Sequence, residues 1–165
     1  MNSLAAHEPA KALSRNHDPK LFDGKAEPRL APHQEVTQAW WEEQRAQYEL
    51  FTSAYVRQEA AEGNPALATS RLTLLDGIPV LPTTEEVENL AGKLLVGGLI
   101  PAKAATDAFP IAIAAVHHMD FLLTWNSTHI HNLSIIRRVE RICASEGYAC
   151  PVICNPDELL PPSIS

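Results

Sequence analysis

The sequence predicts an α/β fold organised on a parallel sheet, and three observations carry that prediction. Stretches with helical spacing alternate along the chain with short apolar runs of strand length. Ile111, Ala112, Ile113, Ala114, Ala115 and Val116 are apolar all round, so their helix keeps no face for solvent. Phe121, Leu122 and Leu123 make a continuous apolar run, as in a strand covered on both sides. The stretch from Ala104 to Asn126 thus reads as a buried helix passing directly into a buried strand. Asp107 stands near the helix start and Asn126 just past the strand end.

Taken in order, Met1 to Pro32 is unlike the rest. Pro9, Pro19, Pro28 and Pro32, scattered charges and little apolar periodicity read as an irregular or disordered segment over 1–32, ahead of a domain over 33–165. From His33 the pattern sharpens. Val36, Ala39 and Trp40 share one face of a helix running to about Gln47, and Tyr48 to Thr52 reads as a strand. Ser53 caps a helix over Ala54 to Glu62. Gly63 ends it, Asn64 caps the next, and Pro65 takes that helix's first position. Ala68, Leu72 and Leu75 lie on one side, Gly77 closes the helix, and Ile78 to Leu81 is a short strand.

Thr83 and Glu86 have capping-box spacing. Val87, Leu90, Ala91, Leu94 and Leu95 follow at helical spacing until Gly97-Gly98, and Pro101 opens the organising helix. After the polar loop Asn126-Ser127-Thr128-His129 a helix runs to about Glu146. Ile135, Val139 and Ile142 face inward there, with Arg137, Arg138 and Arg141 on other faces. Gly147 stops it, and Val152-Ile153-Cys154 is a last strand.

The totals bound the function. At 165 residues the chain fits one domain with a real core. A net charge of −7 argues against binding nucleic acid by bulk charge, but leaves room for a cation-dependent site. Cys143, Cys150 and Cys154 contain no Cys-x-x-Cys pair. An odd count without a secretory signal implies reduced thiols and a cytoplasmic protein. No run approaches transmembrane length, so no membrane partner is expected.

The runs DAFPIAIAAVHHMDFLLTWNSTHI, TQAWWEEQRAQYELFTSAYVRQEAAEGNP and GYACPVICNPDELL resemble PIN-domain proteins, and within them the bacterial VapC-type toxin–antitoxin ribonucleases. The resemblance covers about Pro32 to Leu160. It implies a PIN-like three-layer fold with a central parallel sheet, and an acidic cluster at the carboxyl ends of its strands that holds Mg²⁺ or Mn²⁺ and cuts RNA. Glu59, in VRQEAAEG, and Asp107, in AATDA, match the family's acids, which makes them the implied metal ligands. Asn126, in LLTWN, falls where many relatives carry aspartate, and Thr124 matches the small hydroxyl residue before it. The implied catalytic set is Glu59, Asp107 and Asn126, with an RNA substrate and an antitoxin protein as partners.

Two departures accompany the resemblance. The family's first strand, which carries its first acid, has no match here: RNHDPKLFDGKAEPRLAP is neither apolar nor alternating. Asp18 and Asp23 end no strand-like run. The expectation is therefore a sheet that lacks or replaces its first strand, with exposed neighbouring edges. A homodimer in which a second copy supplies the strand meets that condition. The second departure is Pro110, where relatives usually carry histidine.

Hard divalent cations take oxygen ligands, often one or two carboxylates with water and substrate phosphate. Glu59 and Asp107 could be such a pair. Asn126 could orient a water or donate to a phosphate, without adding charge. Each also has a plainer role: Asp107 as a helix cap, Glu59 as a solvated helix residue, Asn126 as a turn residue. His117, His118, His129 and His131 read as loop and helix-end residues rather than ligands, and Arg137, Arg138 and Arg141 as a solvated face. The alternative to a nuclease is a degenerate, non-catalytic PIN domain that binds RNA or a protein partner.

Overall fold

The structure is a computed structural model and describes residues 10–14, 31–96, 108–124 and 133–160. The elements are β1 (Ala10–Ser14), α1 (Ala31–Glu43), β2 (Tyr48–Ser53), α2 (Ala54–Ala61), α3 (Pro65–Leu74) and β3 (Val80–Leu81). They continue with α4 (Glu85–Val96), α5 (Ala108–Val116), β4 (Phe121–Leu123), α6 (Leu133–Ser145) and β5 (Val152–Cys154). The five strands form one sheet in the order β3-β2-β1-β4-β5. Every neighbouring pair is parallel. The expected α/β class with a parallel sheet is what the chain adopts.

The N-terminal segment departs from the expectation. Residues 1–32 are not irregular throughout: Ala10–Ser14 is the central strand, and α1 starts at Ala31. Ala10 to Leu13 pair with Tyr48 to Phe51 on one side, and Ala12 to Ser14 with Phe121 to Leu123 on the other. The place expected to stand empty is thus filled by the chain itself, and no second copy is needed to supply it. The segment AKALS has no β-branched or aromatic residue, so its intrinsic strand preference is weak. Ladders on both edges, rather than propensity, make it a strand.

Local signals set most other boundaries. The Ser53 Oγ accepts from the Val56 N–H at 3.3 Å and starts α2. The Asn64 Oδ1 accepts from the Ala66 N–H at 2.9 Å, with Pro65 in the first position of α3. The cap of α4 is one residue later than the capping-box spacing suggested: the Thr84 Oγ1 accepts from the Val87 N–H at 3.4 Å. After Asn155 the chain makes a 3-10 turn over Pro156–Leu159, closed by a reciprocal Asn155–Glu158 capping box. The strand expected over Ile78 to Leu81 shortens to two residues, and the first helix ends at Glu43 before a 3-10 turn over Arg45–Gln47. The proposed opening of the organising helix at Pro101 lies outside the described residues.

Alternation along the strands splits the core in two. Phe51, Leu122 and Ile153 pack with α4, α5 and α6 through Val87, Leu90, Ile111, Ile113 and Val139. Leu50, Leu123 and Cys154 pack with α1 and α2 through Trp40, Val56 and Ala60. The predicted apolar-all-round helix is realised: Ile111 to Ala115 are 0 % exposed. Pro110 is the third residue of α5, within the first turn, whose N–H groups have no partner inside a helix. It therefore removes no hydrogen bond. No helix among the described residues is long and apolar enough to cross a membrane.

Candidate functional site

In an open parallel sheet, ligands bind outside the carboxyl ends of the strands where the strand order reverses. Here the chain steps from β1 to β2 and β3 on one side and later to β4 and β5 on the other. The reversal therefore lies between β1 and β4. Ser14 is level with Leu123, and Leu123 with Cys154, so these residues mark the carboxyl edge.

That edge gathers polar side chains that the rest of the sheet lacks. Thr52, Ser53, Arg71 and Thr124 are the buried polar residues among those described, and three of them end β2 or follow β4. Ser53 is consumed as the α2 cap. The Thr124 N–H donates to the Cys154 carbonyl at 2.9 Å, holding the chain in line past the end of β4. The Thr52 Oγ1 is buried without a hydrogen-bond partner among the described residues. Each such group carries a desolvation cost, which functional edges commonly tolerate.

Two helices leave or approach this edge with the sequence's candidate acids. Glu59 is exposed on α2, about 8 Å along the axis from the helix start at 1.5 Å per residue. Tyr55 lies one turn earlier, on the same side of α2 as Glu59. Its ring stacks on Phe109 with centroids 4.5 Å apart and planes 23° from parallel. Phe109 is the second residue of α5, two positions after Asp107. The stack therefore fixes the head of α5 beside the first turn of α2. Burial holds the Tyr55 hydroxyl above its ordinary pKa and the Glu88 charge adds to this, while a hydrogen bond with Thr83 opposes both. Neither Tyr55 nor Phe109 was singled out by sequence reasoning. Their contact joins distant parts of the chain, and no periodicity signals it.

Asp107 and Asn126 lie outside the described residues, so of the expected set the structure places Glu59 and the flanks of the other two. Ala108, after Asp107, is 0 % exposed, and Thr124, two before Asn126, is 1 % exposed. Among the described residues no three His, Cys, Asp or Glu side chains come together as a metal site.

The plainer assignments of other residues hold where they are described. The His117 Nε2 donates to the Pro82 carbonyl at 2.9 Å. His118 has φ of 56° and ends α5. Asp120 opens β4, its carbonyl accepting from the Val152 N–H at 2.8 Å. A separate cleft of about 490 Å³, lined by Trp41, Arg45, Tyr48 and Gly77, sits at the amino end of β2, away from the carboxyl edge. In it the Arg45 guanidinium lies 4.4 Å from the Trp41 ring centre.

No family model matches this chain, and no curated protein or solved structure matches it.

Proposed function

We propose that the chain is a metal-dependent endoribonuclease with a PIN-like three-layer arrangement, acting at the carboxyl edge of its sheet. The observation that supports this reading is the Tyr55–Phe109 stack. It holds the helix of Glu59 against the head of the helix that Asp107 precedes, beside the point where strand order reverses. Two carboxylates from distant parts of the sequence are thereby carried toward one region.

The donor chemistry fits a hard cation. The candidate acids and the buried hydroxyls of this edge all offer oxygen, the donor type that Mg²⁺ and Mn²⁺ prefer. Glu59 and Asp107 would hold the ion. When bound, such an ion acidifies a water and offsets charge on the attacked phosphate. The chain's own part is positional. Asn126 orients a water or donates to a phosphate oxygen, and the buried edge beneath it keeps Thr124 and the end of β4 fixed. Asp18, four residues after β1 leaves the sheet at Ser14, is a further carboxylate for the same edge. An antitoxin is the partner this reading implies.

The test is cleavage of a mixed-sequence RNA by the full chain with Mn²⁺, with and without a chelator. Cleavage is expected to stop with the chelator and to fall at least about 100-fold in Glu59→Gln and Asp107→Asn, about 3 kcal/mol of barrier for each. RNA binding without metal-dependent cleavage overturns the nuclease reading and leaves a non-catalytic binding domain. Cleavage that survives both substitutions overturns the residue assignment.

A further inference from the structure

We propose that Cys143 and Cys150 form a reversible oxidation site that closes an intramolecular disulfide when the chain meets a hydroperoxide. Both are free thiols. Cys143 is in the last turn of α6 and fully buried, and Cys150 is half-buried just ahead of the edge strand β5. The chain between them is folded back sharply. The Gly147 N–H donates to the Ala144 carbonyl at 3.1 Å and the Tyr148 N–H to the Cys143 carbonyl at 2.9 Å. Gly147 has φ of 81°, the left-handed conformation such a helix end requires. Tyr148 and Cys150 then pack against the same apolar cluster that contains Cys143. The turn thus brings the two sulfurs into hydrogen-bonding contact. The third thiol, Cys154, packs in the other cluster, across the sheet.

The pair is polarised. The Cys150 S–H holds the Cys143 thiol below its ordinary pKa, against the opposing effect of burial. Cys150 is raised by donating that bond, by burial, and by the charges of Cys143 and Glu140. One proton therefore leaves the pair first, from Cys143, and the thiolate is the reactive species. It attacks an oxygen of the hydroperoxide. The O–O bond breaks, the departing oxygen takes up a proton and leaves as water or alcohol, and Cys143 becomes a sulfenic acid. The Cys150 sulfur then attacks the Cys143 sulfur. The S–O bond breaks, and hydroxide leaves as water with the Cys150 proton. Two thiols have lost two electrons, and the peroxide bond has gained them. The product ties the end of α6 to the entry of β5, and a thiol reductant reverses it.

The experiment uses the full chain, fully reduced, then treated with hydrogen peroxide and alkylated under denaturing conditions. No Lys or Arg follows Arg141, so trypsin leaves all three cysteines in one peptide, whereas cleavage after Glu146 separates Cys143 from Cys150. A Cys143–Cys150 linked peptide pair that a reductant releases is expected, with Cys154 alkylated. The oxidised chain is expected to melt several degrees higher than the reduced one, because the link restricts its unfolded state. In Cys150→Ser, Cys143 is expected to stop at a sulfenic acid that dimedone traps. Should that variant not fold, the peptide map of the unsubstituted chain decides alone. A link involving Cys154, links only between two chains, or a fully alkylated pair after peroxide treatment overturns the proposal.

Discussion

The two faces of the sheet are filled by different chemistry. Under α4, α5 and α6 the core is aliphatic: Val87, Leu90, Ile111, Ile113, Leu122 and Val139 are at most 1 % exposed and offer no polar side-chain atom. On the side of α1, α2 and α3 the buried set includes Trp40, Arg71 and Cys154. Trp40, Tyr48 and Phe121 form an aromatic chain there, with successive centroids 5.7 Å and 5.9 Å apart. The Trp40 Nε1 and two Arg71 nitrogens are buried with no hydrogen-bond partner among the described residues. Alternation places Thr52, with its unpartnered hydroxyl, on the same side as Leu50. One face contributes stability by burying carbon. The other accepts desolvated polar groups and ties its stability to their protonation and pairing.

The largest effect should come from the aliphatic face. Ile113→Ala removes buried methyl and methylene groups from a helix enclosed on all sides, and close packing limits how far neighbours can collapse. A loss of about 3–4 kcal/mol is expected in denaturant unfolding, equal at pH 7 and at pH 10 because nothing titratable is removed. A cost below about 1 kcal/mol would mean the face is loosely packed, and the contrast would fail.

The next effect is alkaline and belongs to the other face. Burial, and after it the Glu158 charge, pushes the Cys154 thiol up to about 12 from an ordinary value of 9.0. The folded value lies above the unfolded one. The associated stability is therefore fully present below about pH 9 and is lost as pH rises toward about 12. The loss is on the order of a few kcal/mol. Tyr48, raised by burial and then by Cys154, shares the direction. Cys154→Ala should flatten the fall in stability between these limits while leaving the tyrosine's part. An unchanged alkaline slope would show that Cys154 is not what makes this face pH-sensitive.

Arg71 offers a smaller and sharper test. Its Nη2 donates to the Glu62 carbonyl and so closes the end of α2, but its Nε and Nη1 have no partner among the described residues. A guanidinium buried with so few bonds carries a penalty that cancels much of its gain. Arg71→Met keeps the length and drops the charge. Its melting temperature is expected to lie within a few degrees of the parent, on either side, whereas Arg71→Ala also leaves a cavity and should fall further. A large loss in the methionine variant would show that the guanidinium is well satisfied.

The contrast also explains what was legible in the sequence. The aliphatic face announces itself, because Ile111 to Val116 and Phe121 to Leu123 leave no place for solvent. The capping residues Ser53 and Asn64 and the stop at Gly147 are local signals, and each acts within a few residues of its own position. β1 was illegible for the opposite reason. Ala10, Lys11, Ala12, Leu13 and Ser14 carry little strand preference, and pairing with residues far along the chain makes them the central strand. The candidate site divides the same way. Glu59 could be assigned to a helix after a strand, but the Tyr55–Phe109 contact that brings α5 to it depends on tertiary packing alone.

The smallest prediction concerns how the aliphatic face is closed off. α5 and α6 end in the same hydrogen-bond pattern. The N–H groups of His118 and Met119 donate to the carbonyls of Ala115 and Ala114 at 3.2 Å and 2.8 Å. Those of Gly147 and Tyr148 donate to Ala144 and Cys143 at 3.1 Å and 2.9 Å. The motif requires positive φ at its turning residue. Gly147 meets this at 81° without strain, but His118 does so at 56° against the repulsion of its own Cβ. Met119, 6 % exposed, is drawn into the core by the turn, which is what compensates. His118→Gly relieves the repulsion but loosens the unfolded chain, so a gain of about 0.5–1 kcal/mol is expected in thermal or denaturant unfolding. Gly147→Ala should lose about 1 kcal/mol. Opposite signs at two turns of one geometry would show that the backbone angle alone sets the difference. A loss in His118→Gly would show instead that the imidazole makes a contact worth more than the strain.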